Sequence, residues 1–119
     1  MTDQSIELEI QAKGKTAARV TPQDVESNIA SEHYFTAADG AGLPPVEGVD
    51  YIPPRPVGPL DLLTFCVLVL KNGFTVTGES AVASPENFDA AIGRKIARTN
   101  AAQKIWPLMG YELRSKLAE

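Results

Sequence analysis

The chain is short of the residues from which most reactive sites are built. It has one cysteine, Cys66, and one histidine, His33, among 119 residues. A lone thiol excludes an intrachain disulfide. One Cys and one His are too few for an ordinary structural zinc site. Cys66 lies in a run of Val and Leu and reads as an apolar filler, not a nucleophile. His33 reads as a surface or hydrogen-bonded residue. Long apolar runs are also missing. The longest, residues 65–70, falls far short of a membrane span, so no membrane partner is expected. The opening MTDQSIELEI has no basic region followed by an apolar core, so it is not a signal peptide and a cytoplasmic protein is expected. No catalytic, metal or cofactor motif is present, and no cofactor is expected.

What the chain does have is an uneven charge. The net charge is −4. Residues 1–83 carry 5 basic and 11 acidic side chains, whereas residues 84–119 carry 6 basic and 4 acidic. Residues 90–111 hold Arg94, Lys95, Arg98 and Lys104 and no acid. Duplex binding usually needs a more basic domain, so long nucleic acid is not expected as a partner. A small anionic ligand on a C-terminal helix fits the pattern better. The length supports one domain over residues 1–119.

Along the chain, Ile6, Leu8 and Ile10 alternate with Glu7, Glu9 and Gln11. Alternation favours a strand, but Glu, Gln and Ala favour a helix, and residues 2–12 stay ambiguous. Residues 14–20 read as a basic connector, either a solvated loop or an arm for an anion. Thr21-Pro22-Gln23-Asp24 is a helix start with cap, proline and capping-box acid. The helix is predicted over 22–31, and His33-Tyr34-Phe35-Thr36 follows as a short strand or docking segment. Residues 37–59 hold four glycines and six prolines and read as a connector.

The chain is organised around residues 62–106. Residues 62–70 predict a central strand, covered on both faces or covered on one and paired in an oligomer on the other. Asn72-Gly73 predicts a two-residue type I′ turn. Residues 74–83 are the returning strand, with Gly78 marking a bulge or a close backbone approach. Ser84-Pro85-Glu86 predicts the start of a long helix. Its stripe of Phe88, Ile92, Ile96, Thr99, Gln103 and Trp106 is expected on the sheet, with Phe88, Ile92 and Ile96 contributing roughly 2 kcal/mol each. Arg94 and Arg98, one turn apart, can clamp one phosphate or carboxylate; they equally suit a solvated face paired with acids. Pro107 predicts a break at Trp106. Leu108, Tyr111, Leu113 and Leu117 then form a short helix or turn that closes the core. The fold class is α+β: a hairpin or small antiparallel sheet packed on a long C-terminal helix, with a short N-terminal helix and a Pro-rich connector. A lone hairpin is marginal, so a homodimer or higher homo-oligomer is expected.

The segments NGFTVTGES, SPENFD, IGRKIAR and WPLMGY, in this order, resemble a family of small tailed-phage accessory proteins described by founder gene products 49 and 66. The resemblance covers about residues 62–117, and more loosely 21–36 with its SEHYFTAADG segment. A cysteine often follows the first alanine at Ala81-Val82-Ala83 in that family; its absence here argues against essential thiol chemistry. The family is similar to phage anti-Thoeris sponges, which bind nucleotide immune signals such as cyclic ADP-ribose isomers and do not cleave them. The resemblance implies a ligand with phosphates, ribose and a base, a cyclic ADP-ribose isomer or a cyclic oligonucleotide. Arg94 and Arg98 would hold phosphates with Lys95 or Lys104. Phe74, Phe88 or Tyr111 would stack on the base, and Asn87 would hydrogen-bond base or ribose. It also places the protein in the host bacterial cytoplasm during infection.

Two other functions compete with non-enzymatic sequestration. A regulatory module that binds a host or phage protein fits the Pro-rich segment and the apolar strand. An enzyme would need positioned titratable groups, for which Glu79, Glu86 and Asp89 are available; acids near a helix start more often serve the dipole, so no enzyme is expected.

Overall fold

The computed structural model describes residues 2–44 and 55–119. The fold is α+β, a three-stranded antiparallel sheet with its strands adjacent in chain order and the long helix Ala90–Gln103 packed on one face. Strand β1 is Ile29–Thr36, β2 is Leu63–Leu70 and β3 is Thr75–Ala81. The strand predicted at 62–70 is central, and His33–Thr36 belongs to the edge strand that completes the sheet. Helix α1 is Asp3–Ala12, α2 is Pro22–Ser27, α3 is the single turn Ala37–Gly40, α4 is Ala90–Gln103 and α5 is Ile105–Leu117. Residues 45–54 of the expected connector lie outside the described residues; at its two ends, Arg55 Nε donates to the Pro44 carbonyl at 2.6 Å.

Local signals decided the element starts. The Thr21 hydroxyl accepts from the Asp24 N–H, and the Asp24 carboxylate accepts from the Thr21 N–H, the expected reciprocal cap. Helix α2 ends at Ser27, earlier than the predicted residue 31. Ile29 pairs with Leu70 instead, because the sheet edge offers the backbone of these residues a ladder. Helix α1 resolves the ambiguity at residues 2–12 in favour of propensity: Thr2 and Ser5 cap its start reciprocally.

The hairpin turn differs in type from the prediction. No non-glycine residue has positive φ, so a type I′ turn with Asn72 in that region is excluded among the described residues. The Gly73 N–H donates to the Leu70 carbonyl at 2.9 Å and the Leu70 N–H to the Phe74 carbonyl at 2.8 Å. The loop therefore has three residues, with Gly73 alone left-handed at φ 89°.

The long helix begins later than predicted. Pro85–Asn87 forms a short 3-10 turn, and α4 starts after Asp89, whose carboxylate accepts from the Ile92 N–H at 3.0 Å. Its buried face also differs. Gly93, Ala97 and Ala101 point to the sheet, whereas Ile92 is 56% and Ile96 46% exposed. The reason is distance. A Cβ on Gly78 would lie 2.9 Å from Ala101 Cα, and closer still to the Ala101 N and Ala97 O atoms. The close approach expected at Gly78 is thus the backbone of α4. Only small residues fit such a seam, so the isoleucine stripe turns outward and does not deliver the burial assigned to it.

The core consists of Val25, Cys66, Leu68, Leu70, Val76, Ala97, Ala101 and Ile105. Leu68 and Ile105 are fully buried and each contributes about 2–3 kcal/mol. Trp106 and Met109 pack against this cluster. The break between α4 and α5 falls at Lys104, not at Trp106. Pro107 lacks the N–H that would bond the carbonyl four residues back, and its ring crowds that carbonyl, on Gln103. In α5, Leu108, Tyr111 and Leu117 are exposed, so these three do not close the core. The other sheet face carries Leu63, Phe65, Val67 and Val69, half-buried, with Phe35 stacked on Phe65 at 5.5 Å.

Candidate functional site

The packing of α4 brings its cationic flank against β1. Arg98 is held there by two carboxylates. Its Nε donates to Glu32 Oε2 at 2.8 Å, and its two Nη groups donate to Glu26 at 3.1 and 3.2 Å. The Tyr34 hydroxyl donates to the other Glu32 oxygen at 3.1 Å. The Arg98 contact lowers the Glu32 pKa, and Glu32 and then Glu26 make Arg98 hold its proton more firmly. Burial, then the bond to Glu32, pushes the Tyr34 hydroxyl up to about 12. Burial also raises the Cys66 thiol, which keeps it protonated and unreactive, in line with its reading as filler.

Arg94 lies one turn earlier and makes no ion pair among the described residues; neither do Lys95 and Lys104. Arg94 lines a recess of about 50 Å³ with Phe88, Tyr34, Phe35 and Asp39. Arg98 borders a second cleft of about 490 Å³, walled by α2 at Val25 and Glu26, by Thr99, Ala102 and Gln103 of α4, by Trp106, and by the start of α1. The two hollows lie along one seam between α4 and its neighbours. Tyr34 and Glu32 link them, since Tyr34 lines the first and Glu32 holds Arg98.

Not all of the expected ligand residues meet there. Phe88 and Arg94 share the recess, and Asn87 is exposed beside Phe88. Lys95 is exposed on α4, and Lys104 sits at the helix junction. Phe74 is 56% exposed at the other end of the sheet. It follows Leu70, whereas the recess is at Thr64; six residues of strand separate these by about 20 Å. Phe74 lines a different hollow, with Leu108 and Met109. Tyr111 is 78% exposed on α5. Of the acids considered for catalysis, Asp89 is the α4 cap, and Glu79 and Glu86 are exposed. Sequence reading missed Glu26, Glu32 and Tyr34. The two glutamates lie 72 and 66 residues from Arg98, beyond any local spacing.

Residues 20–117 match the phage protein (N4 Gp49/phage Sf6 gene 66) family. The chain belongs to this family. It is a phage accessory protein, as the resemblance over 62–117 and 21–36 implied. The family segment contains the whole sheet, α2, α3, α4 and α5, and leaves out α1. Searches of curated proteins and of solved structures find no match. Among the described residues, no helix is long and apolar enough to cross a membrane, and no group of three or more His, Cys, Asp or Glu is placed to hold a metal ion.

Proposed function

We propose that this phage protein is a non-enzymatic binding module that sequesters a small anionic nucleotide, an immune signal of the bacterial host, in the host cytoplasm. The observation that carries this reading is Arg94, a cation without a carboxylate partner among the described residues, beside Phe88 and Tyr34 in one recess. A guanidinium beside aromatic faces suits a phosphate joined to a base. Asn87 stands next to Phe88 and supplies an amide. Lys95, the next residue, projects about 100° round the helix and adds charge from the exposed side, and Arg98 can contribute only by exchanging a carboxylate for a phosphate. The recess is too small to enclose a nucleotide, so the ligand lies along the α4–β1 seam toward the larger cleft. A homodimer or higher homo-oligomer fits the half-buried apolar face formed by Phe65, Val67 and Val69.

Calorimetry with cyclic ADP-ribose isomers and cyclic oligonucleotides tests the reading. Binding is expected, with loss of at least about tenfold in affinity for Arg94→Glu, the scale of one charge-assisted contact. Heat denaturation of the complex should return the nucleotide chemically intact. No binding of any of these ligands would overturn the proposal; a converted nucleotide would make the protein an enzyme.

A second reading has its own support. Ile92 and Ile96 face solvent beside Lys95 on α4, an apolar and basic strip that suits an acidic protein surface. A host or phage protein captured by wild type, retained by Arg94→Glu and lost by Ile92→Glu/Ile96→Glu would favour it over nucleotide sequestration.

A further inference from the structure

Residues 2–19 precede the family segment, which begins at residue 20. They are tied mainly to themselves. Thr2 and Ser5 cap α1 reciprocally. Glu7 is buried and accepts both Nη groups of Arg19, at 2.5 and 2.6 Å, and the amide of Gln11 at 2.6 Å. All of these bonds begin and end within the segment. Among the described residues, two side-chain hydrogen bonds leave it, and both end on one atom. Asp3 Oδ2 accepts from Gln103 Nε2 at 3.0 Å and from Trp106 Nε1 at 3.3 Å.

Apolar docking of α1 is thin. Leu8 is 59% and Ile6 40% exposed. A hollow of about 230 Å³ lies against Ile6, Ile10, Val20, Pro22 and Trp106 on one flank. The cleft of about 490 Å³ lies on the other, with Thr2, Asp3 and Gln4 on its rim. Both hollows open to solvent and interrupt the contact of α1 with the rest of the domain. A segment that carries its own ion pair and caps can lift as a unit, breaking little besides the two bonds to Asp3.

We propose that residues 2–19 form a strap, latched by Asp3, that covers the Trp106 side of the α2–α4 cleft and lifts to admit a ligand. Lifting uncovers the half-buried indole of Trp106 and frees the amide of Gln103, both on the cleft that Arg98 lines. The surface gained is an aromatic face beside a cation and a hydrogen-bonding amide, which suits a base and its phosphate. This ligand assignment rests on the sequestration reading; the latch does not.

Trp106 is the only tryptophan, so its fluorescence reads the latch directly. Acrylamide quenching of the full chain is compared for wild type, Asp3→Ala and Gln103→Ala. Quenching by about twofold or more above wild type is expected for Asp3→Ala, with a smaller rise for Gln103→Ala, as the open population grows. Equal quenching in all three overturns the strap. ADP-ribose, used as the probe in calorimetry, should bind Asp3→Ala at least about threefold more tightly, because opening no longer draws on the binding free energy. Raised quenching with unchanged ADP-ribose affinity overturns the gate. Raised quenching with no nucleotide binding in any variant supports the latch and removes the sequestration reading.

Discussion

Replacing Gly78 with alanine should destabilise this protein strongly, although general propensity predicts the opposite. Glycine inside a strand is usually worse than alanine by about 0.5–1 kcal/mol, because it loses more backbone freedom on folding. At Gly78 the added methyl would meet backbone atoms of α4, with Ala101 Cα at 2.9 Å and two polar backbone atoms nearer. Ordinary contact begins at 3.4 Å, so α4 must retreat by at least 0.5 Å, the difference of these two distances. No side chain can rotate out of the way. A gap of that size forfeits a quarter or more of each dispersion contact across the seam. That seam carries Cys66, Leu68, Ala97, Ala101 and Ile105, the centre of the core. The loss belongs at the upper end of overpacking effects, about 3 kcal/mol, and so outweighs the propensity gain. For a domain of this size that lowers the melting midpoint by roughly 10 °C. Thermal and urea unfolding followed by circular dichroism measure it. A Gly78→Ala variant as stable as wild type would show that α4 does not lie on β3 as described.

Gly110→Ala is the converse case: a Cβ there meets nothing within 4 Å, so the variant should gain about 1 kcal/mol from helix propensity in the same unfolding assay. The Arg19 and then the Gln11 hydrogen bonds lower the Glu7 carboxyl from 4.5 to about 2. A depressed carboxylate stabilises the folded form above its ordinary pKa and loses that contribution as pH falls through the folded value. Amide exchange protection of α1 should therefore fall between about pH 4.5 and 2 in wild type, and Glu7→Gln should show less protection at neutral pH and a flatter profile. Arg98→Leu leaves Glu26 and Glu32 facing each other without their cation; with these groups partly exposed, a loss of about 1 kcal/mol in urea unfolding is expected. Adding Glu32→Gln should return part of it, since the two sites are coupled. An Arg98→Leu protein of unchanged stability would instead make Arg98 available to a ligand and not a brace between α4, α2 and β1.

Much of the fold was readable because its signals act over a few residues. The Thr21 cap, the glycine after Asn72, the apolar strand 63–70 and the proline that stops α4 each impose local geometry wherever they occur. The same short range explains the errors. Ile92 and Ile96 looked like the buried stripe because their side chains are apolar and correctly spaced. The buried face is instead Gly93, Ala97 and Ala101. The choice depends on how closely the helix can approach Gly78, a distance set against Ala97 and Ala101, 19 and 23 residues away in the chain. The candidate site shows the same division. Arg94 and Phe88 were legible as chemistry on one helix entry, and the fold does bring them to one recess. That Arg98 is bound by Glu26 and Glu32 was not legible, because ion pairing across 66 and 72 residues depends on where β1 and α2 dock.

The sequence by itself determined the α+β class, the presence of the hairpin, the start of α2 and the family. These follow from caps, turns, periodicity and ordered motifs, all local in the chain. Only the tertiary structure decided which face of α4 is buried, which cation of the Arg94–Arg98 pair lacks an acidic partner among the described residues, and that Asp3 meets Gln103 and Trp106. Those outcomes depend on distances between elements, and a one-dimensional pattern carries no such distances.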